Sequence, residues 1–246
     1  MKAPRFSDRG AFSLPRGFLQ RTGSLASQNE SNADLRHLRT AAVSATTWTV
    51  DFWLDPGCPL TRRTARWLTS IAADVPLQVC WHVMSLSLLR EEQSGGGPGD
   101  RAGDLSRDPA RIAAAVQDAH GHTALGGFYD ALWTGRDGTE REAVGSTASA
   151  LSRCALPAEL ADGGSSAGAE DVLRASHRAG VDSLDGVGRA GGRGGSPILR
   201  LTAPYGRRET IVGPLLDTVL DPADAMTLWK ATVLLAGIPG FREIRR

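Results

Sequence analysis

The residues best suited to chemistry stand at Cys58-Pro59-Leu60-Thr61, directly after an apolar run and a turn. A cysteine attacks through its thiolate, and the first turn of a helix favours that anion with unpaired N–H groups and the positive end of the dipole. Pro59 occupies the first helical position, where its missing N–H costs nothing. Leu60, Thr64, Trp67, Leu68 and Ile71 follow at helical spacing. Thr61, three residues past Cys58, can offer its hydroxyl to the sulfur, and reads equally well as a plain first-turn residue. The ordinary fate of a free cysteine is to be a small buried hydrophobe, and the helix-start position favours the reactive reading over that one. Far along the chain, Gly195-Ser196-Pro197 precedes an apolar run from Ile198. A cis X-Pro bond costs only about 0.5–1 kcal/mol, so Pro197 is a candidate for one. Such a bond would aim the Ser196 backbone across the sheet toward an incoming thiol compound.

The remaining candidates read more plainly. Cys80 falls inside a strand and Cys154 at a helix end, and both are expected to be structural. Three cysteines, odd in number and widely spaced, form neither a disulfide framework nor a zinc-ligand pattern. No metal site is expected. Asp51 lies in the strand before Cys58, on the face opposite Val50 and Phe52. Solvation at a sheet edge is its expected state, and proton acceptance from a nearby thiol is the sharper alternative. His82, His120 and His177 lack partners at ligand spacing and read as structural. Arg62, Arg63 and Arg66 read as a solvated helix face that could add positive potential near Cys58.

The elements that must position these residues follow from pattern. Trp48, Val50, Phe52 and Leu54 alternate along Thr47–Leu54, with Trp53 on the other face, which predicts a central strand buried on both sides. Asp55-Pro56-Gly57 ends it as a turn. A second strand is expected over Leu77–Leu86. Helices are expected over Asp108–Ala119, Leu125–Trp133, Glu140–Ser152 and Ala169–Ala179. Two short strands, Ile198–Thr202 and Glu209–Val212, are joined by Ala203-Pro204-Tyr205-Gly206. Asp221-Pro222 starts a last helix that Gly237 ends. A βαβ unit and a ββα unit would then share one sheet, with a helical block between them.

The 246-residue chain is 41% hydrophobic and 22% charged, with a formal net charge of +1. It can bury a full core without staples, and no global field favours nucleic acid or a membrane surface. No apolar stretch is long enough to span a membrane, the N-terminal segment lacks the apolar core of a secretion signal, and the sparse cysteines favour a reducing compartment, the cytoplasm. Residues 1–46 read as a disordered extension, with a short helix near Ala33–Val43 and an upstream misassigned start as further readings. Gly-rich loops are expected at 94–104 and 186–195.

With these pieces in place a resemblance becomes specific. Val50-Asp51-Phe52-Trp53-Leu54-Asp55-Pro56-Gly57-Cys58-Pro59 resembles the active-site strand and turn of the DsbA-family proteins called mycothiol-dependent nitroreductases. His82-Val83-Met84-Ser85-Leu86 is similar to that family's second strand. Ala119-His120-Gly121, Leu156-Pro157-Ala158-Glu159-Leu160 and Ser176-His177-Arg178-Ala179-Gly180 resemble pieces of its helical insertion. Gly195-Ser196-Pro197 and Val212-Gly213-Pro214 resemble its cis-proline strand and the strand after it. The match runs in order over roughly residues 48–244. It implies an α/β thioredoxin-like fold of DsbA type, with a thioredoxin-like domain at 47–93 and 194–246 and an all-helical insertion at 94–193. The family pattern is Cys-Pro-Trp-Cys, whereas here Leu60 and Thr61 take the third and fourth places and Asp108 stands where the family has a tryptophan before Pro-x-Arg.

The expected function is that of a monothiol oxidoreductase. Cys58 and Thr61 would carry the chemistry, and Pro59, Leu60, Ser196 and Pro197 would bind the thiol and substrate. The resemblance implies mycothiol or a similar low-molecular-weight thiol as co-substrate, with a disulfide or a nitroaromatic or quinone-like electrophile as acceptor. No nucleic-acid or membrane partner is implied, and a homodimer is a candidate assembly. Two alternatives stay open: a thiol-cofactor transferase or isomerase of kappa glutathione transferase type, whose members typically carry Ser where Cys58 stands, and a catalytically degenerate binding protein.

Overall fold

The computed structural model describes residues 47–94, 109–163, 167–184, 195–238 and 241. The 1–46 segment with its expected helix, most of both Gly-rich loops, and the residues past 241 lie outside the described residues. Strand β1 (Trp48–Leu54) leads through helix α1 (Pro59–Ile71) to β2 (Leu77–Val83). Helices α2 (Leu86–Ser94), α3 (Pro109–Trp133), α4 (Thr147–Arg153), α5 (Glu159–Gly163) and α6 (Ala167–Asp182) follow. Strands β3 (Ile198–Thr202) and β4 (Arg208–Val212) and helix α7 (Pro222–Ala236) complete the chain.

The four strands form one sheet in the order β2-β1-β3-β4. β1 pairs in parallel with β2, from Trp48 opposite Leu77 to Leu54 opposite Val83. On its other side β1 runs antiparallel to β3, from Thr49 opposite Thr202 to Trp53 opposite Ile198. β1 is therefore central, as its two-faced apolar pattern requires. β1-α1-β2 and β3-β4-α7 flank a block of helices, and this arrangement is the thioredoxin-like fold of DsbA type with an all-helical insertion. β3 and β4 match the expected strands to within a residue.

The two faces of the sheet bury different cores. Val50, Phe52 and Leu54 join Leu68 and Ile71 of α1, Phe128 and Leu132 of α3, and Trp229 of α7 in the main core. Trp53 points to the opposite face, where it packs with Met84, Ile198 and Leu184 just beyond α6. There Gly180 of α6 approaches so closely that a Cβ would lie 2.8 Å from the Trp53 ring. The Trp53 indole donates to the Ser176 carbonyl at 3.0 Å, tying α6 to β1.

Several boundaries differ from the sequence expectation for identifiable reasons. The second strand stops at Val83, because Ser85 begins a new helix: its hydroxyl accepts from the backbone of Ser87 and Leu88 at 3.2 and 3.4 Å. The two helices expected between Asp108 and Trp133 are present as the two halves of α3, parted at Gly121, whose φ of 80° and ψ of −176° no helix residue adopts; the second half begins a few residues earlier than expected. The helix expected over Glu140–Ser152 forms only from Thr147, where Ser146 caps it by accepting from Ser149 N at 3.4 Å. Upstream, Glu140 instead bridges to Thr134. α7 starts and stops as expected, with the Asp221 carboxylate accepting from Asp224 N at 2.9 Å and Gly237 as its C-cap.

Candidate active site

Cys58 is the N-cap of α1, in extended conformation, and Pro59 is the first residue of the helix. The Asp55-Pro56-Gly57 turn delivers it there. Asp55 Oδ1 accepts from Gly57 N at 2.8 Å, an Asx turn that the Asp-x-Gly pattern encodes. Cys58 N donates to the Asp55 carbonyl at 3.1 Å, and Arg62 N donates back to the Cys58 carbonyl at 3.2 Å. The second Asp55 oxygen accepts from Leu86 N at 2.7 Å, so one carboxylate ties the Cys58 loop to the β2–α2 junction. The Cys58 side chain makes no capping hydrogen bond and is half-exposed. Pro59 is exposed, and Leu60 is 38% exposed beside it.

Thr61 turns the other way and is fully buried. Its hydroxyl lies 2.9 Å from the hydroxyl of Ser196. Ser196 also accepts from Asp55 N at 3.3 Å. The Ser196–Pro197 peptide is cis, as is Gly213–Pro214. Ser196 thus joins the turn before β3 to both the loop and the first turn that present Cys58. Pro197 is buried, and its carbonyl accepts from Gly213 N at 2.9 Å. Of the residues singled out from sequence, Cys58, Thr61 and Ser196 come together at the head of α1, with Pro59 and Leu60 at the exposed rim.

Helix α3 also contacts the loop before Cys58. The Trp133 indole donates to the Pro56 carbonyl at 3.1 Å. One turn earlier, Tyr129 is buried with the Arg62 guanidinium 5.9 Å from its ring centroid. Arg62 is not part of a solvated face: it is 7% exposed, and pairs with Asp130 at 2.8 Å and Glu140 at 3.2 Å. Arg66 contacts Glu140 as well. The sequence reading missed Tyr129, Trp133 and the buried state of Arg62, since all three depend on how α3 docks. Asp55 was legible only as a turn former.

The other candidates sit apart from this cluster. Asp51 stands in the middle of the sheet, bonded to His82 Nε2 at 2.8 Å and to Arg200 at 2.9 and 3.0 Å. Burial works to raise its carboxyl, but the hydrogen bonds and charges of His82 and Arg200 outweigh that and hold it below the ordinary range. His82 also stacks on Trp53, with ring centroids 4.5 Å apart. Cys80 neighbours Asp51 across the β1–β2 ladder. Burial pushes its thiol up, and the Asp51 charge adds to that. Cys154 is the C-cap of α4, where burial again raises the thiol. Neither cysteine has a helix N-terminus to favour its anion. Among the described residues, no cluster of His, Cys, Asp or Glu is arranged to hold a metal ion, and no helix is long and apolar enough to cross a membrane.

A strand–turn–helix that presents one accessible cysteine, braced by the turn before an antiparallel strand, is the working arrangement of thiol-dependent oxidoreductases with a thioredoxin-like fold. Residues 57–246 match the family model described as Rv2466c-like, mycothiol-dependent nitroreductase Rv2466c, and the chain belongs to that family. Among solved structures it is similar to the cytosolic disulfide reductase DsbM from Pseudomonas aeruginosa, at 21% identity over 76% of this chain and 99% of that one, with a TM-score of 0.41. It is also similar to a 2-hydroxychromene-2-carboxylate isomerase, at 14% identity over 75% of this chain and 94% of that one, with a TM-score of 0.46. A putative protein disulfide isomerase from Nitrosomonas europaea matches at 13% identity over 76% of this chain and 98% of that one, with a TM-score of 0.40.

Proposed function

We propose that this protein is a monothiol oxidoreductase that reduces disulfides or nitroaromatic and quinone-like electrophiles at Cys58, with a small thiol, mycothiol by family, as the source of electrons. The observation that carries this reading is the pairing of Thr61 with Ser196 in the place of a second thiol. Cys58 is the one cysteine at a helix start, and the position three residues on holds a buried hydroxyl. Cys80 and Cys154 are free and belong to other elements.

With a disulfide substrate, the Cys58 sulfur attacks one sulfur, forming a mixed disulfide and expelling the other as a thiolate that takes a proton from water. A small thiolate then attacks the Cys58 sulfur, expelling the second substrate sulfur as a thiolate and leaving the small thiol in a mixed disulfide with Cys58. A second small thiolate attacks the small thiol's sulfur in that bond, and Cys58 leaves as a thiolate. One disulfide has then been reduced to two thiols, and two small thiols have been oxidised to one disulfide. The half-exposed Cys58, with Pro59 and Leu60 exposed beside it, fits a small thiol approaching from solvent. Mycothiol dependence and cytoplasmic location rest on the family and on the free cysteines.

The test is the intact mass of protein purified under acid quench from cells that make the small thiol. A single adduct of that thiol's mass, mapped to Cys58, is expected. An adduct confined to Cys80 or Cys154 would refute the assignment.

A further inference from the structure

Along α1 the protein keeps an open, strongly polar cleft of about 340 Å³, within the size range of small-ligand sites. Arg62, Arg66, Thr69 and Ser70 line it from α1. Asp130, Thr134 and Glu140 line it from the end of α3 and the segment beyond. Its charges cancel: Arg62 pairs with Asp130 and Glu140, and Arg66 contacts the second Glu140 oxygen. The cleft therefore has no net charge to draw an anion or a cation.

The ion pairs fasten α1 to α3, yet they leave hydrogen-bonding capacity unused. A guanidinium offers donors on all three of its nitrogens. The Arg62 bonds to Asp130, Glu140 and Thr134 come from Nε and Nη2, and Nη1 makes none among the described residues. Arg66 contacts Glu140 through Nη1, and its side chain is 40% exposed. The Thr69 and Ser70 hydroxyls donate to the Ala65 and Trp67 carbonyls at 3.0 and 2.8 Å, and so present acceptor oxygens. Donors and acceptors side by side without net charge suit a sugar-like ligand, whose hydroxyls both donate and accept.

The cleft also lies in line with Cys58. Cys58, Arg62 and Arg66 follow one another at four-residue spacing, so they share one face of α1. A helix rises about 1.5 Å per residue, which puts Arg62 about 6 Å and Arg66 about 12 Å along the axis from Cys58. A molecule whose sulfur meets Cys58 can lay its remainder along α1 into the cleft.

We propose that this cleft binds the hydroxyl-rich, uncharged tail of the small thiol that serves Cys58, and so selects a sugar-bearing thiol over a charged peptide thiol. The proposal rests on Cys58 being the thiol-exchanging residue. The carboxylates of a peptide thiol such as glutathione would meet Asp130 and Glu140, and the guanidiniums there are already paired. Each would lose hydration without a partner charge of its own. Sugar hydroxyls lose less on entering and find both kinds of partner.

The experiment measures binding by calorimetry, with probes that cannot exchange: S-methylmycothiol, which carries a sugar and cyclitol tail, and S-methylglutathione. The proteins are wild type, Arg66→Gln, and Ser70→Phe, which fills the cleft from an exposed position. Wild type should bind S-methylmycothiol about tenfold or more tightly than S-methylglutathione, and each variant should weaken S-methylmycothiol binding by about tenfold or more, as for the loss of a hydrogen bond to a charged group. Equal affinity of wild type for the two probes, no binding of either, or undiminished S-methylmycothiol binding in both variants would overturn the proposal. Binding is read here without turnover. Tight, cleft-dependent binding in a protein that shows no thiol-dependent turnover would therefore uphold the site and refute the oxidoreductase reading.

Discussion

The hydroxyls of Thr61 and Ser196 lie 2.9 Å apart, joining the first turn of the helix that presents Cys58 to the turn that starts β3. The two residues are 135 positions apart in sequence. Ser196 also takes the Asp55 N–H, so one hydroxyl braces the loop before Cys58 and the helix after it.

This brace has a measurable energy. Ser196→Ala removes the buried hydroxyl that the Thr61 hydroxyl meets and that the Asp55 N–H donates to, and should cost about 1–3 kcal/mol in denaturant unfolding. Thr61→Val removes the other partner. The double variant should be more stable than the sum of the single losses implies, because the two changes delete one shared interaction. Additive losses in such a cycle would show that the contact contributes nothing of its own.

Replacing Thr61 by cysteine should convert the site into a dithiol. Wild type carries three free thiols at Cys58, Cys80 and Cys154. Under mild oxidant it should keep all of them within the monomer, whereas Thr61→Cys should lose the thiols at positions 58 and 61 together. Thiol counting and peptide mapping distinguish this from bonds to Cys80 or Cys154, and the persistence of both free thiols would mean that the first turn of α1 does not present them to each other.

Much of this site was legible in the sequence, because it is built from local signals. The apolar run, the Asp-Pro-Gly turn, Pro59 at the first helical position and Ser196-Pro197 before a strand each specify their own geometry within a few residues. The long-range partners were not legible. Nothing near Arg62 in sequence reveals that Asp130 and Glu140 will bury it, and Asp51 reads as a surface carboxylate until β2 and β3 bring His82 and Arg200 beside it. The same holds for the helical boundaries of the insertion. An exception is the break between the two helices expected on either side of residues 120–124, which is real: Gly121 takes a non-helical φ of 80°.

His177 gives the fold a dependence on pH. The ring is 1% exposed, and its Nδ1 faces Ser85 N at 3.5 Å, an arrangement that needs the neutral ring. Burial lowers its pKa from 6.5, and the Arg174 and Arg178 charges assist, although Glu92 opposes them. A lowered folded pKa means that the unfolded chain binds the proton first. The stability associated with neutral His177 is thus fully present above about pH 6.5 and is lost as pH falls below it. Wild type should lose more melting temperature than His177→Gln between about pH 7.5 and about pH 5.5. Equal losses would mean that His177 is not responsible.

The central claim is that Cys58 works alone at the site and depends on an external thiol. The most direct test is steady-state turnover of a disulfide substrate against the concentration of a small thiol, in wild type and three single variants. Turnover should rise with thiol concentration in wild type, because no neighbouring thiol releases the mixed disulfide. Cys58→Ser should abolish it. Cys80→Ser and Cys154→Ser should leave it nearly unchanged, since burial raises both of those thiols and neither stands at a helix N-terminus. Full activity in Cys58→Ser, or a wild-type rate independent of thiol concentration, would contradict the account.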